Sequence, residues 1–333
     1  MTGQVTSYGD IGSRTAAMVS GSMLKVAIPR LCMGRYGQQA VIPKNKTQSI
    51  RWRRYNPFVA NTVPLQEGVT PSADQITTTD VEAVLQQFGR RAVISDAISD
   101  THEDPVLSQV SMRMAEVAAR TQELVIYNAI RGGTNVLFAG GTSRATVNAA
   151  INAATLNRAI RQLKRADTEY ITQMLAASDK VATQPVRDGF VAFVHPDMQT
   201  DLEAVSGYIP VANYASGQAH GPYELGSYRE IRFMASTLYT PFLAAGASGS
   251  SLLTNGGSGT GNADVYPMII VGSDAYATVS LAGRNAIMPM VVNPKPSDSD
   301  PLGQRGHVGF KMWTIARILN DAFMVRVEAG VNQ

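Results

Sequence analysis

The sequence predicts an α+β fold, in which one long helix lies across a β-sheet and an inserted α/β segment forms a second domain. Three stretches of the 333-residue chain carry this prediction. Residues 105–131 repeat apolar side chains every three or four positions, residues 50–88 are extended around a turn-rich centre, and residues 308–329 alternate like paired strands. Hydrophobic residues make up 44% and charged residues 17% of the chain, which is typical of a folded protein.

The first 50 residues show neither a helical nor a strand period, which fits a frayed terminus or, as the sharper hypothesis, an extended N-arm that a partner orders. This end of the chain is basic: up to residue 66, nine Lys and Arg residues stand against Asp10 alone. Such an arm fits either nucleic acid or the acidic surface of a neighbouring subunit. Because lysine is sparse, the neighbour is the favoured interpretation and nucleic acid the alternative.

Residues 50–88 predict a long two-stranded excursion. An aromatic-rich strand runs from Ile50 to Val59, a turn-rich tip spans Pro64 to Pro71, and a threonine-rich strand returns from Ile76 to Phe88. Each limb can reach about 50 Å at about 3.3 Å per residue, whereas a compact globule of this length has a radius of gyration of about 20 Å. A lone ribbon is marginal in water, so we expect this hairpin to rest on another subunit.

The long helix is predicted from Pro105 to about Arg131, with Asp104 as its N-cap and Gly132-Gly133 ending it. About 27 residues make a rod of about 40 Å. The predicted buried stripe contains Leu107, Val110, Met114, Val117 and Leu124, and the predicted polar face contains Arg113, Glu116, Arg120 and Glu123. One apolar stripe indicates one buried face.

Shorter elements are predicted between this helix and the C-terminus. They are a strand at Arg91–Ile98 before the helix, a helix at Thr155–Asp167, a buried strand at Phe190–Val194 leading into a helix through residues 201–205, a strand at Tyr228–Ala235, a Gly/Ser-rich loop at residues 244–263, and a buried strand at Val265–Gly272. Residues 140–284 are therefore interpreted as the inserted domain.

The C-terminus carries the clearest strand signal. Residues 308–318 alternate, Asn320-Asp321 can supply a turn, and Ala322–Ala329 is predicted to return as the partner strand. We expect this hairpin, with the strand near Arg91, to form the sheet under the long helix.

Signatures of chemistry are thin, and we predict no catalytic, cofactor-binding or metal-binding residues. The run around Gly257 has GxG spacing but precedes a strand, whereas a dinucleotide loop follows one. The histidines at 102, 195, 220 and 307 form no metal-ligand pattern. The best catalytic candidate is His195 with Asp197, although His-Pro-Asp after a buried strand also fits a helix start. Cys32, the only cysteine, cannot form an intrachain disulfide and favours a reducing compartment.

Several short motifs keep their order from about residue 50 to the end. They are Pro64-Leu65-Gln66-Glu67-Gly68-Val69-Thr70-Pro71, Gly89, Ser95-Asp96, His195-Pro196, Glu224-Leu225-Gly226, Gly272, Ala275-Tyr276, and Asp300 through Gly306 with Lys311. With the order of predicted elements, they resemble the tailed-bacteriophage major capsid proteins of the Hong-Kong-97-type fold. More narrowly, they resemble the capsid family typified by coliphage N-four.

The resemblance implies an N-arm at residues 1–54, an extended β-hairpin loop at 55–88, a peripheral domain at 89–140 and 285–333 containing the spine helix 105–131, and an axial domain at 141–284. The implied function is self-assembly, through hexamers and pentamers, into an icosahedral shell that encloses double-stranded phage DNA. The implied location is the virion capsid, assembled in the host cytoplasm.

The resemblance also implies partners. These are other copies of the chain, a separate scaffolding protein, a portal at one vertex, a decoration protein as an optional addition, and non-specific contact with packaged DNA. Some relatives cross-link through a lysine on the extended loop, but no lysine lies between Lys46 and Lys164, so we expect no such bond. Predicted inter-subunit contacts are Arg51, Arg53, Arg54, Tyr55, Leu65 and Glu67, with the three arginines gripping an acidic patch on a neighbour.

Two alternatives remain at this point. An encapsulin-like nanocompartment shell would share the fold but house enzymes, and a soluble α/β enzyme using His195 and Asp197 would leave the long hairpin unexplained.

Overall fold

The computed structural model describes residues 31–64, 67–68, 70, 73–101, 106–171, 188–214, 219, 223–248, 251–254, 261–282, 287–296 and 300–333. Several predicted features lie outside these residues: residues 1–30 of the N-arm, the helix start at Asp104 and Pro105, Leu65 of the hairpin tip, the run around Gly257, and the histidines at 102 and 220.

The described strands are β1 (Gln38–Ile42), β2 (Ser49–Tyr55), β3 (Thr78–Val84), β4 (Gln86–Ser95), β5 (Val136–Phe138), β6 (Phe190–Val194), β7 (Tyr208–Pro210), β8 (Glu224–Tyr228), β9 (Ile231–Ala235), β10 (Tyr266–Val271), β11 (Tyr276–Leu281), β12 (Ile287–Val292), β13 (Arg305–Ile318) and β14 (Met324–Ala329). The described α-helices are α1 (Asp96–Thr101), α2 (Val106–Ile130), α3 (Ala153–Arg165) and α4 (Gln199–Glu203).

A seven-stranded sheet in the order β5-β14-β10-β6-β9-β8-β7 forms the centre of one half of the molecule. Its middle strands are buried on both faces, as the apolar runs at Phe190–Val194 and Val265–Gly272 predict. Along β6, Phe190 and Ala192 face a core that includes α3, whereas Val191 and Phe193 face the end of α2. The sheet is therefore covered by helices on opposite faces.

A five-stranded sheet is built around the long strand β13. Strand β4 pairs with Arg305–Thr314 along one edge, while β12 and β11 follow one another along the other edge. Strand β1 extends the sheet by pairing in parallel with β11. The inward side chains of β13, including Val308, Phe310 and Met312, pack against α2. The prediction of a long helix lying across a sheet is confirmed.

Helix α2 connects the two sheets. Val106 and Ala118 pack on the five-stranded sheet, and Ile126 and Ile130 reach the seven-stranded one. The stripe predicted from the sequence is wrong at its first member, because Leu107 is 38% exposed. The predicted polar face is wrong at Glu123, which is 4% exposed because it binds backbone groups. No described helix is both long and apolar enough to cross a membrane.

The predicted C-terminal hairpin is wrong. Strand β13 belongs to the five-stranded sheet, whereas β14 pairs with β10 and β5 in the seven-stranded one. The Leu319 N–H donates to the Ala275 carbonyl, and a 3₁₀ turn at Asp321–Phe323 then carries the chain across. The alternation of β13 marks one buried face, but β14 is buried on both, which requires an interior position.

The expectation that residues 1–50 form an arm ordered only by a partner is wrong for residues 32–42. Cys32, Met33 and Tyr36 are buried against α2 and the seven-stranded sheet, and Ile42 is 2% exposed. These residues lack a period because a 3₁₀ turn at Met33–Arg35 and a short strand anchor them individually.

Two predicted strands are each divided in the structure. The stretch Tyr228–Ala235 contains a turn at residues 229–230, where Arg229 takes a φ of +53°, so its two sides belong to β8 and β9. The predicted return limb at residues 76–88 ends at Val84, after which β4 joins the main sheet. The buried side chain of Leu85 marks this change of partner. The helix predicted at 155–167 is confirmed as α3, starting two residues earlier because Asn152 caps it.

Candidate assembly surface

Strands β2 and β3 form an antiparallel sheet of their own, separate from both larger sheets. In the described part of this hairpin the base packs on the body, where Ile50 and Trp52 contact the core around Leu85 and Val279. Beyond β2 the pairing continues for one more step, with the Asn56 N–H donating to the Thr77 carbonyl. The prediction of a two-stranded excursion is confirmed, but its strands are shorter than the predicted limbs, because β2 ends at Tyr55 and β3 spans only Thr78–Val84.

A ladder of ion pairs crosses the hairpin. The register places Arg51 opposite Glu82 and Arg53 opposite Asp80. Arg51 donates to Glu82 at 2.9 Å, and Arg53 donates from Nε and Nη2 to both Asp80 oxygens at 2.9 Å each. The hydrogen bond from Arg53 holds the pKa of Asp80 below its ordinary value. Two of the arginines predicted to contact a neighbour therefore already have carboxylate partners within the hairpin.

Beyond this ladder the described residues of the hairpin tip are open to solvent from Pro57 onward. We define the tip as residues 56–77; its described members from 57 onward are all exposed. They include large apolar side chains that are more than half exposed: Phe58 is 56% exposed, Val59 90%, Val63 71% and Ile76 61%. Tyr55, just before the tip, is 66% exposed, and the predicted contact Glu67 is exposed too. Arg54 is exposed and has no ion-pair partner among the described residues.

The outward face of the five-stranded sheet offers a second exposed apolar region. An open groove of about 500 Å³ lies over β4, β13 and β12, and Met290 and Val292 on its rim are 44% and 54% exposed. Arg91, His307 and Lys311 also line it. The groove therefore combines apolar surface with positive charge.

The catalytic candidate His195 with Asp197 is built as a helix start. The backbone N–H of Asp197 donates to His195 Nδ1 at 3.3 Å, and Tyr266 donates its hydroxyl to Asp197 Oδ2 at 2.9 Å. Burial lowers the pKa of His195, although the nearby Asp197 carboxylate opposes this shift. Within the described ranges, no three His, Cys, Asp or Glu side chains gather as metal ligands would.

Sequence reasoning missed the apolar side chains of the tip and two buried carboxylates. Phe58 and Val59, predicted as the end of the first strand, lie beyond its last residue, Tyr55. Like Val63 they stand next to turn residues, and that position is the signal that could have identified them. Glu123 accepts hydrogen bonds from the N–H groups of Cys32 and Met33, both at 2.8 Å. Glu328, fully buried, accepts two hydrogen bonds of 2.7 Å from Arg144.

The fold is similar to those of several solved phage capsids. The capsid of Ralstonia phage GP4 matches with a TM-score of 0.66 and 13% identity, covering 100% of this chain and 99% of that one. The capsid of cyanophage Pam1 matches with a TM-score of 0.61 and 13% identity, covering 95% of this chain and 98% of that one. The head of Helicobacter pylori bacteriophage KHP40 matches with a TM-score of 0.60 and 11% identity, covering 99% of this chain and 98% of that one. No curated protein is similar enough in sequence to count as a match.

A family model described as phage capsid protein matches residues 78–313, which is more than two thirds of the chain. The match includes β3, the whole of the long helix and most of both large sheets. The His195 arrangement accordingly belongs to a structural protein and not to an enzyme. From its sequence match and its fold, this chain belongs to the phage capsid protein family.

Proposed function

We propose that the protein builds an icosahedral shell of hexamers and pentamers around double-stranded DNA, and that the hairpin tip makes the lateral contact between subunits. The observation that carries this proposal is the exposed apolar surface of the tip. Phe58, Val59, Val63 and Ile76 are exposed on a ribbon whose base packs on its own body. Exposed apolar surface of this kind marks a protein interface.

Burial of these side chains supplies the driving force. Covering one large apolar side chain is worth roughly 1.5–3 kcal/mol, so one tip contributes several kcal/mol to a neighbour contact. Every subunit presents the same tip and the same receiving surface, and closed symmetry satisfies both in each copy. Many modest contacts then add up to a stable shell without any tight pair.

Among the predicted contact residues, the structure supports some more than others. Tyr55 and Glu67 are exposed and remain proposed contacts, while Leu65 lies outside the described residues. Arg51 and Arg53 are engaged by Glu82 and Asp80, so we assign their main role to stiffening the ribbon. Arg54 remains as the guanidinium available to an acidic neighbour.

The domain assignment is also a proposal, and strand pairing suggests different boundaries. We propose that the five-stranded sheet with α2 is the peripheral domain and the seven-stranded sheet the axial domain. Strand β11 then moves to the peripheral domain although it precedes residue 284, and β5 and β14 move to the axial domain. The N-arm would be the part of the chain before residue 31, and the extended loop would begin at β2.

Partners beyond sister subunits follow from the proposed shell. A separate scaffolding protein, a portal at one vertex, an optional decoration protein and packaged DNA complete it, with assembly in the host cytoplasm. The narrower similarity to the family typified by coliphage N-four stays a prediction. Finding enzymes in place of DNA inside purified particles would favour the encapsulin-like alternative.

The test replaces apolar tip side chains by serine in the full-length chain. The triple variant F58S/V59S/V63S should fold but fail to form closed particles in negative-stain electron microscopy. The matched control T62S/T70S/Q75S changes three exposed polar residues of the same tip and should assemble like the wild type. Closed particles from the first variant, or from a chain lacking residues 57–76, would contradict the proposal.

A further inference from the structure

Helix α3 carries a cationic surface that assembly through the hairpin does not use. Its inner face, formed by Leu156, Ala159, Ile160 and Leu163, is buried on the seven-stranded sheet. This is the sheet face opposite to the one that the end of α2 covers. The outer face of α3 is therefore part of the broad surface of the molecule on that side.

That outer face is positively charged from Arg158 to the end of the helix. Arg158, Arg161, Lys164 and Arg165 are exposed, and the 13-residue helix contains no acidic residue. Lys164 is neutralised by Glu230 at 2.7 Å, and Asp167 follows just beyond the helix. Among the described residues, no carboxylate forms an ion pair with Arg158, Arg161 or Arg165.

Arg229 adds a further cation from the turn between β8 and β9. Between this turn and the helix lies a hollow of about 400 Å³, lined by Asn157, Ile160, Arg161, Lys164, Arg165 and Arg229. Several guanidinium groups thus surround one concave site. We call this set (Arg158, Arg161, Lys164, Arg165 and Arg229) the α3 cationic patch.

The helix dipole explains only part of the patch. Cations in the last turn are favourable, which accounts for Lys164 and Arg165. Arg158 lies in the first half of the helix and Arg161 in its middle, where the dipole offers nothing, and like charges such as Arg161 and Arg165 four residues apart repel by roughly 0.2–0.5 kcal/mol. An external anion would remove this cost.

The length of the arginine row equals about three phosphate steps of a nucleic-acid backbone. Arg158, Arg161 and Arg165 follow the i, i+3, i+7 pattern of one helix face, so they span about 10 Å along the axis. Duplex DNA presents one phosphate per about 3.4 Å of axis on each strand. Guanidinium groups also bind phosphate through two parallel hydrogen bonds, which a lysine-based patch would not offer.

We propose that the α3 cationic patch binds the phosphate backbone of duplex DNA without sequence preference, and that it faces the interior of the shell. This inference rests on the proposed function, which supplies the DNA. It assigns the contact to α3 and not to the basic N-terminal segment. An acidic protein is the competing partner, and the experiment distinguishes it.

The test measures binding of unassembled full-length subunits to a fluorescent 30-base-pair duplex between 50 and 200 mM KCl. The variant R158Q/R161Q/R165Q removes three cations from the patch. The control K44Q/K46Q/R317Q removes the same charge at exposed residues, two between β1 and β2 and one on β13. Each lost phosphate contact makes the negative slope of log K against log salt less steep by about 0.9. The slope of the patch variant should therefore be about 2.7 smaller in magnitude than that of the wild type. Over this salt range the wild type should then lose ~40-fold more affinity than the patch variant does.

The outcomes separate the alternatives. Equal slopes for the patch variant and the control, or no salt-dependent binding by the wild type, would overturn the proposal. A patch variant that still binds DNA normally but no longer binds polyglutamate would overturn it in favour of an acidic protein. Closed particles from both variants in electron microscopy would show that assembly is intact. A failure of the shell proposal would instead show itself as the absence of closed particles from the wild type, which is a different result from equal DNA-binding slopes.

Discussion

The seven-stranded sheet and the β2–β3 hairpin both contain Arg–carboxylate pairs, yet the surroundings of those pairs differ completely. In the sheet, Glu328 is fully buried between Arg144, at 2.7 Å, and Arg326, at 2.8 Å. In the hairpin, Arg51 and Glu82 meet at 2.9 Å with side chains that are 58% and 47% exposed. The same chemistry is therefore enclosed by protein in one region and open to water in the other.

This difference indicates which region is fully packed within a single subunit and which region is not. A buried charge must be paired inside the protein, so the sheet around Glu328 is finished once the subunit folds. Exposed pairs add little stability, and the tip beyond them leaves its apolar side chains uncovered. We infer that the hairpin reaches its final stability only in the shell, where a neighbour covers it.

Substitution of Glu328 should produce the largest loss of stability. In E328Q the guanidinium groups of Arg144 and Arg326 keep their places but lose the charge that compensates them. Breaking a buried pair in this way costs roughly 3–5 kcal/mol of the free energy of unfolding. Urea unfolding of the unassembled chain should show a lower midpoint with an unchanged slope.

The hairpin supplies the matched control, E82Q, which removes the carboxylate partner of Arg51 at an exposed site. Its cost should be at most about 1 kcal/mol, as for other surface pairs. Equal losses for E328Q and E82Q would mean that burial does not separate the two regions.

An intermediate effect is expected at Glu123, which ties the residues after the N-arm to α2. In E123A the N–H groups of Cys32 and Met33 and the hydroxyl of Tyr239 lose their acceptor. A buried donor left unsatisfied costs about 1–3 kcal/mol. Because Cys32 is 4% exposed and the only cysteine, its labelling by a thiol reagent should accelerate.

The control for this prediction is E116Q on the same helix, where the carboxylate pairs with Arg113 near the surface. Labelling of Cys32 should then stay at the wild-type rate. A rate unchanged in E123A as well would show that Glu123 does not hold this segment.

Sequence reasoning found the elements whose own pattern determines them. The helical spacing of α2, the apolar run of β6 and the extended limbs of the hairpin each describe a local environment, and the helix, the buried strand and the β2–β3 pairing are confirmed. The pairing of strands cannot be predicted in this way, because the alternation in β13 indicates a buried face but not which strand lies beside it. The predicted pairing of β14 with β13 is wrong for this reason.

Buried carboxylates are the other limit of the sequence. Glu123 falls on a face with Arg113 and Arg120, so its pattern is that of a solvated residue, and only the N–H groups of a distant segment explain its burial. Likewise, the pairing of Arg51 and Arg53 depends on the register with β3. Composition alone predicts a basic arm whose arginines bind a partner.

The smallest effect is expected from pH, and it should separate the two regions again. Burial lowers the pKa of His195, at the end of β6, below its ordinary 6.5, with Asp197 opposing the shift. Below pH 6.5, and down to the folded pKa, His195 therefore binds a proton in the unfolded chain but stays neutral in the folded chain. As the pH falls from about 6.5 to the folded pKa of His195, the stability of the seven-stranded sheet around β6 should decrease.

In the hairpin the sensitive group is Asp80, whose pKa the hydrogen bond from Arg53 holds below its ordinary 3.8. Its contribution is present above pH 3.8 and is lost as the pH falls through the folded pKa. Hydrogen exchange, corrected for the intrinsic effect of pH, should therefore show β6 weakening between pH 6.5 and 5 while β2 and β3 stay unchanged. In H195Q the change in β6 should disappear, because glutamine does not titrate. Faster exchange in β2 and β3 between pH 6.5 and 5 would contradict this prediction. It would mean that a group other than the ion-paired Asp80 titrates in the hairpin.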